Sequence, residues 1–257
     1  MNITEKLEQI IAKEDENIEL NQKLEDVLSI GNLKSNYDEF WDSYQDNGNR
    51  TDYSFAFYGS HWNDKCLKPK YDIVPIYPNC MFKSNPGIKE NISDYFEKQG
   101  IKLDFSKCTN FTETFAQPGI VGVGTVDTRS AANIGMAFVW NSNIKEIREF
   151  ILKDDGSQTI DGSCFTGASN LEILNIKGHI GCSFTAKLSL LTKTSIESIV
   201  NALLDSNGAT LTLSKAAVDK AFETELDKKD GSSSIEWINL ISSKSNQYQG
   251  LWTISLT

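Results

Sequence analysis

The chain has 257 residues, of which 39% are hydrophobic and 10% aromatic, and its formal net charge is −10. This acidic balance opposes attraction to phosphate backbones and to anionic membrane surfaces, so nucleic acid is not an expected partner. No stretch of the sequence approaches the roughly 20 apolar residues of a membrane span, and residues 1–6 lack the basic and apolar regions of a secretory signal. We therefore expect synthesis in the cytoplasm and no membrane insertion.

The first predicted element is an N-terminal helical segment, residues 1–34. Its apolar residues recur at helical spacing, at Leu7, Ile10, Ile11, Ile18, Leu24, Val27 and Leu28. A run of three acidic residues at positions 14–16 interrupts any heptad seam. Two interpretations stay open. The segment forms a short coiled coil that makes a homo-oligomer or docks onto a larger assembly, or it folds as a helical cap against the domain that follows.

A short helix and a polar cluster come next. The aromatic spacing i, i+3, i+4 and i+7 predicts a short core-facing helix that carries Tyr37, Phe40, Trp41 and Tyr44. Residues 46–49 have turn chemistry. The cluster at residues 59–64 contains His61 and Trp62, residue types that serve sugar binding or acid/base chemistry. These two residues and Trp140 are the candidate ligand contacts, and packing within their own units is the alternative.

The middle of the chain combines a helix with glycine-rich and acidic segments. A helix is predicted over 88–99, beginning at Asn91 or Ser93 and ending at Gly100, with a strand over 103–105 after it. The glycines of 119–127 do not complete a phosphate-binding loop, so we expect a core strand there instead. The acidic turn at 153–162 lacks the ligand spacing of a calcium loop, and a solvated turn is the better interpretation.

One short phrase recurs along the chain and predicts a repeat architecture. A small residue precedes Phe, a polar turn follows, and an aliphatic residue stands six positions after the Phe, as in Phe138 with Ile144, Phe165 with Leu171 and Phe184 with Leu190. Weaker copies place further anchors at Phe57, Phe82 and Phe115. The gaps scatter around the length of a leucine-rich unit, about 20–29 residues. Such units bury their apolar faces only by stacking, so an α/β solenoid of parallel strands is predicted.

These phrases resemble the units of the BspA-type leucine-rich repeat proteins. The matching text is residues 79–82, 136–138, 163–171 and 182–184, and residues 40–57 are similar to the start of the repeats in members among tail-associated proteins of phages and prophages of gut bacteria. The resemblance spans roughly residues 37–257. It implies an irregular leucine-rich-repeat solenoid over 35–257, and a location in a virion tail or on a bacterial surface after release.

The C-terminal part, residues 188–257, reads as helix-rich units that close the stack. The capping-box order at 194–197 begins one helix, Ser214 a second and residues 233–236 a third. Strands are predicted at 210–213 and 251–256. Strands that alternate with helices imply parallel pairing.

Five cysteines form no Cys-x-x-Cys pair, so buried free thiols are preferred to disulfides or zinc, with Cys80, Cys164 and Cys182 pointing into the stack. We expect a non-catalytic recognition, adhesion or assembly module without metal or cofactor, whose partner is a protein or a cell-surface glycan. Two alternatives stay open: a carbohydrate-active hydrolase of cell-wall or capsule glycan, whose paired carboxylates are not in a recognisable motif, and a purely structural virion component.

Overall fold

The computed structural model describes residues 41–58, 69–85, 89–117, 119–187, 190–204, 208–222, 228–229, 233–242, 244 and 252–257. The chain forms two compact units, residues 1–49 and residues 50–257. The predicted helical segment 1–34 lies outside the described residues. In the first unit, residues 41–44 are helical and a 3₁₀ turn, Asp46–Gly48, follows, with Asn47 in the left-handed region at φ +49°. The predicted turn at 46–49 is confirmed.

The second unit is a solenoid of stacked parallel strands, of about three turns and with few helices. Its central sheet contains β1 (Gly122–Asp127), β3 (Glu146–Ile151) and β5 (Ile173–Lys177), paired in the order β1-β3-β5. The register aligns Val123, Ile147 and Leu174, and each of these side chains is fully buried. The strand predicted within 119–127 is therefore present at residues 122–127, and Gly122 and Gly124 lie within it and not in a loop before a helix.

The remaining strands extend the same architecture. A two-stranded parallel sheet pairs β2 (Asn133–Ile134) with β4 (Thr159–Ile160). A second three-stranded parallel sheet has the order β10-β7-β6, from β6 (Phe184–Ala186), β7 (Ala209–Leu213) and β10 (Trp252–Leu256). A small antiparallel pair joins β8 (Lys228–Lys229) to β9 (Ser233–Ser234). The strands predicted near residues 210 and 251 are thus present, and they pair in parallel as predicted.

The anchoring phenylalanines form one buried ladder along the solenoid. Neighbouring ring centroids lie 5.2, 5.8, 5.0, 5.4 and 5.7 Å apart, in the order Phe57, Phe82, Phe115, Phe138, Phe165 and Phe184. The first four pairs are stacked with interplanar angles of 22° or less, and the last pair is tilted by 59°. None of the six side chains is more than 3% exposed. The predicted equivalence is confirmed for the first five positions, whereas Phe184 continues the buried row but lies in a strand and is tilted.

Backbone hydrogen bonds between units hold the ladder in register. The amide of Phe57 donates to the Met81 carbonyl at 2.8 Å, and the amide of Phe138 donates to the Cys164 carbonyl at 3.0 Å. Phe82 and Phe115 make the same bond to the units that follow them. Because these four anchor amides are paired with the next unit, the turns around them are fixed relative to their neighbours.

The described residues of the second unit contain four helices. α1 (Ile92–Glu97) begins at Asn91, whose side chain accepts from the amides of Ser93 and Asp94, and ends near Gly100 at φ +74°. Thus the helix predicted there is confirmed. α2 (Lys193–Asn201) is capped by Thr192 rather than by Thr194, two residues before the predicted position. α3 (Lys215–Ala221) is capped by Ser214 as predicted, and α4 (Ile235–Ser242) follows.

Serine hydroxyls from α1 and α2 close the two edges of the central sheet. The hydroxyl of Ser93 accepts the Gly124 amide of β1 at 2.9 Å. At the opposite edge, Ser195 accepts the Leu174 amide of β5 at 3.0 Å and Ser198 accepts the Ile176 amide at 2.8 Å. An open sheet edge invites pairing with another chain. Here, side chains of two helices take the place of further strands.

Three predictions need correction. Residues 103–105 do not form a strand, because Leu103 makes only an isolated bridge with Ile73. Leu190 is 49% exposed and Leu191 is buried instead, since the segment that leads into α2 shifts the apolar position by one residue. Cys182 is only half-buried, and its sulfur accepts the Ile160 amide at 3.3 Å.

The other described cysteines agree with the prediction. Cys80 and Cys164 are buried, as is Cys108, and all four described cysteines are free thiols. Burial raises the pKa of the Cys164 thiol to about 12. Such thiols act as small apolar core residues rather than as nucleophiles.

Candidate functional site

A groove of about 1050 Å³ opens between α1, the loop of residues 100–106 and the exposed face of β1 and β3. Only two cationic residues, Lys102 and Arg148, line it. Six carboxylates line it as well, from Asp72, Asp94, Glu97, Asp104, Asp127 and Glu149. The groove is therefore anionic, in keeping with the net charge of the chain.

Ion pairs fix most of these carboxylates. Arg148 binds Asp94 through two parallel hydrogen bonds of 2.6 Å, and the same guanidinium reaches Glu146 at 2.9 Å. Lys102 lies 2.7 Å from the Asp104 carboxylate. A bidentate guanidinium–carboxylate pair fixes orientation as well as charge. The Arg148–Asp94 pair thus joins β3 to α1 along one wall of the groove, and the Lys102–Asp104 pair lies within the 100–106 loop.

These contacts keep the carboxyl groups ionised. The Arg148 guanidinium lowers the pKa of Asp94, and hydrogen bonds from Arg129 lower the pKa of Asp127. Burial opposes the ionisation of Asp104, but hydrogen bonds from Lys102 and Ser106 outweigh it and lower its pKa to about 2. Ionised carboxylates of this kind can accept hydrogen bonds from a ligand or bind a positively charged group. A general acid, by contrast, needs a carboxyl group with a raised pKa.

A second surface feature comes from the turn after each anchor. The residue two positions after the Phe is in the left-handed region in four successive units, at φ +56°, +68°, +57° and +82° for Ser84, Gln117, Trp140 and Gly167. We call these four residues the turn column. Trp140 is its large aromatic member, and its side chain is 56% exposed.

The indole of Trp140 lies against the next unit of the column. A Cβ added at Gly167 would stand 2.9 Å from the Trp140 Cα and 3.3 Å from its Cδ1. The Trp140 amide donates to the Thr166 carbonyl at 2.6 Å. Glycine at 167 therefore gives the tryptophan room, and the backbone bond fixes where the ring is presented.

The first described units carry further exposed aromatic side chains. Phe55 is 61% exposed and its ring contacts Tyr58 edge-to-face at 5.9 Å. Lys83 pairs with Glu113 of the next unit, and this hydrogen bond raises the pKa of Lys83. The two charged side chains are only 19% and 18% exposed, so the exposed part of this patch is aromatic.

The predicted site residues have different outcomes. His61 and Trp62 lie outside the described residues. Trp140 is exposed, as a ligand contact requires, but it does not line the groove. The groove itself was missed by sequence reasoning. Its only sequence signal is a recurring turn in which an aspartate carboxylate accepts a hydrogen bond from the backbone amide two residues later. The Ser106 amide donates to Asp104 in this way, and the Arg129 amide donates to Asp127.

Within the described part of the chain, no three His, Cys, Asp or Glu side chains converge to hold a metal ion. No helix in those same residues combines the length and apolar content needed to cross a bilayer. No protein-family model, curated protein or solved structure matches the chain.

Proposed function

We propose that this chain is a non-catalytic recognition module that binds a partner through side chains presented on the rigid surface of the solenoid. One observation carries the proposal. The phenylalanine ladder and its inter-unit hydrogen bonds fix the turn column, and this places the exposed Trp140 on a rigid backbone. A preorganised surface binds with less loss of conformational freedom, so several modest contacts suffice.

The finer part of the proposal is a leucine-rich repeat of the BspA type, acting in a phage tail or at a bacterial surface. It is supported by the small residue before five of the six anchors, for example Ala137 before Phe138 and Cys164 before Phe165, and by the stacked anchors themselves. The partner would then be a protein or a glycan of the cell surface.

A hydrolase of cell-wall or capsule glycan is the second candidate, because the groove brings several carboxylates together. Glycoside hydrolysis needs one carboxylic acid that stays protonated to donate to the leaving group. In the groove, the pKa values of Asp94, Asp104, Asp127 and Glu149 are all lowered, and for Asp94 the cause is the paired Arg148. This favours binding over catalysis.

The test is a pull-down of the full chain with intact bacterial cells, together with a glycan array. We expect selective binding that Trp140→Ala weakens and that Thr159→Val, an exposed threonine on β4, leaves unchanged. In parallel, the chain is incubated with purified cell-wall and capsule glycan and reducing ends are measured. If the chain releases reducing ends and Asp94→Asn abolishes the release, the function is hydrolysis and not recognition. If the chain selects no cell and no glycan, the proposal is contradicted.

A further inference from the structure

The outward face of the second three-stranded sheet carries a row of hydroxyl groups. β7 alternates buried Ala209, Leu211 and Leu213 with half-buried threonines at 210 and 212. The register pairs Thr212 with Thr185 of β6 on one side and with Ser255 of β10 on the other. Because successive side chains of a strand point to opposite faces, these three hydroxyl residues share the face opposite the core.

The row continues into the preceding unit. Thr166 is exposed, and together with Thr185 it lines one small surface depression. Its carbonyl accepts the amide of Trp140 at 2.6 Å. Along the solenoid axis, the exposed indole of Trp140 is therefore followed by four hydroxyl residues. We call these the hydroxyl row, namely Thr166, Thr185, Thr212 and Ser255.

Among the residues that the structure describes, the fold makes no use of the hydroxyls of the row. Within the described part of the chain, none of the four makes a side-chain hydrogen bond. Other hydroxyls of the same solenoid do: Ser93, Ser195 and Ser198 each accept a strand amide. Thr166 is exposed and the other three residues are half-buried. Surface hydroxyls without a protein partner are solvated, so a ligand that supplies donors and acceptors at the same spacing can replace the water.

Trp140 adds an apolar surface at one end of the row. A non-glycine residue in the left-handed region is destabilised by about 1–2 kcal/mol, and Trp140 stands at φ +57° with most of its side chain exposed. The same backbone conformation recurs at Ser84, Gln117 and Gly167, so it belongs to the turn of the repeat and not to Trp140 alone. What makes the indole available to a ligand is its exposure.

Resting on the recognition function proposed above, we infer that the ligand is a neutral, extended polysaccharide that lies along the solenoid axis. One sugar ring stacks on the indole of Trp140, and the following sugars exchange hydrogen bonds with the hydroxyl row. Neighbouring strands are about 4.8 Å apart, close to the length of one sugar in an extended chain. The net charge of −10 disfavours an anionic polysaccharide.

The test uses the full chain with two neutral glucose hexamers, extended cellohexaose and curved maltohexaose, in titration calorimetry. We expect cellohexaose to bind and maltohexaose to bind at least about tenfold more weakly, since a curved chain loses contacts that act together. Trp140→Ala should weaken cellohexaose binding by about tenfold. Thr185→Val and Thr212→Val keep the side-chain shape and should each weaken it by about fivefold.

The matched control is Thr159→Val, which removes an exposed strand hydroxyl on β4 and should leave the affinity unchanged. Thermal melts of each variant show whether the fold is retained. The inference is overturned if cellohexaose does not bind, if both hexamers bind equally, or if the Trp140, Thr185 and Thr212 variants all bind as the parent does. A chain that selects cells or a protein but not cellohexaose would keep the recognition function and lose this inference.

Discussion

The side-chain amide of Asn141 donates to the backbone carbonyl of Phe115, 3.0 Å away in the preceding unit. Asn141 is fully buried, and its oxygen also accepts the Ile144 amide at 3.1 Å. Asn85 makes the equivalent bond to the Phe57 carbonyl at 3.1 Å. A buried asparagine three residues after the anchor thus joins one unit to the next.

Replacing Asn141 with Leu should lower the free energy of unfolding by about 1–3 kcal/mol, because a buried carbonyl and a buried amide lose their partner. Urea denaturation of the two proteins measures the difference. Asn170 is the matched control, since it makes a similar bond to the Ser142 carbonyl at 2.7 Å but is exposed. Asn170→Leu should have a clearly smaller effect, and equal effects would contradict a role for burial.

Truncation of an anchor should be the most damaging single change in the solenoid. The Phe138 ring is fully buried and stacks on Phe115 at 5.0 Å and on Phe165 at 5.4 Å. Phe138→Ala removes both contacts and leaves a cavity, so the free energy of unfolding should fall by about 3–5 kcal/mol. Thermal and urea unfolding test this. Phe55→Ala removes an exposed ring two residues before an anchor, and it should change the free energy of unfolding by less than about 1 kcal/mol.

The ladder could be predicted from the sequence because the core positions of a stacked repeat recur as a short local motif, such as Ala137-Phe138 or Cys164-Phe165. The groove could not be predicted in this way. Asp94 and Arg148 are far apart in sequence, and they meet only because α1 lies beside the central sheet. The same holds for the hydroxyl row. Its threonines alternate visibly within β7, but their alignment with Ser255 depends on a register that no local pattern specifies.

The serines of α2 should protect the edge of the central sheet. Ser195→Ala and Ser198→Ala each leave one β5 amide without its acceptor, so each should lower the free energy of unfolding by about 1–3 kcal/mol. Amide hydrogen exchange at Leu174 and Ile176 should become faster. Thr194→Ala, at an exposed position of the same helix, is the control for the gain in helix propensity that Ala brings. Unchanged exchange at both amides would contradict the protective role.

At position 140, a Gly variant should be more stable than an Ala variant, which is the reverse of the usual order of stability. In a helix or strand, Gly is less stable than Ala by roughly 0.5–1 kcal/mol. At Trp140, φ is +57°, where a Cβ is disfavoured. We therefore expect Trp140→Gly to be more stable than Trp140→Ala by about 1 kcal/mol. Urea midpoints of the two variants decide this, and a lower midpoint for the glycine variant would contradict a left-handed backbone at this position.

Asp104 should contribute to the loss of stability in acid. Its pKa falls from 3.8 to about 2 because hydrogen bonds from Lys102 and Ser106 outweigh the effect of burial. A lowered folded-state pKa means that the unfolded chain binds the proton more readily. The contribution of Asp104 is therefore complete above pH 3.8 and is lost as the pH falls through about 2.

Near pH 3, this one group should give the free energy of unfolding a slope of about 1 kcal/mol per pH unit. Urea denaturation between pH 2 and pH 5 measures the slope, and Asp104→Asn should reduce it by about that amount. Asp219 is the control, because its exposed carboxylate pairs only with Lys215 one helical turn away. Asp219→Asn controls for the loss of a surface carboxylate, and it should change the free energy of unfolding only slightly, since exposed i, i+4 pairs contribute little. A slope that is the same in the Asp104 variant and the parent would show that Asp104 is not held ionised by its neighbours.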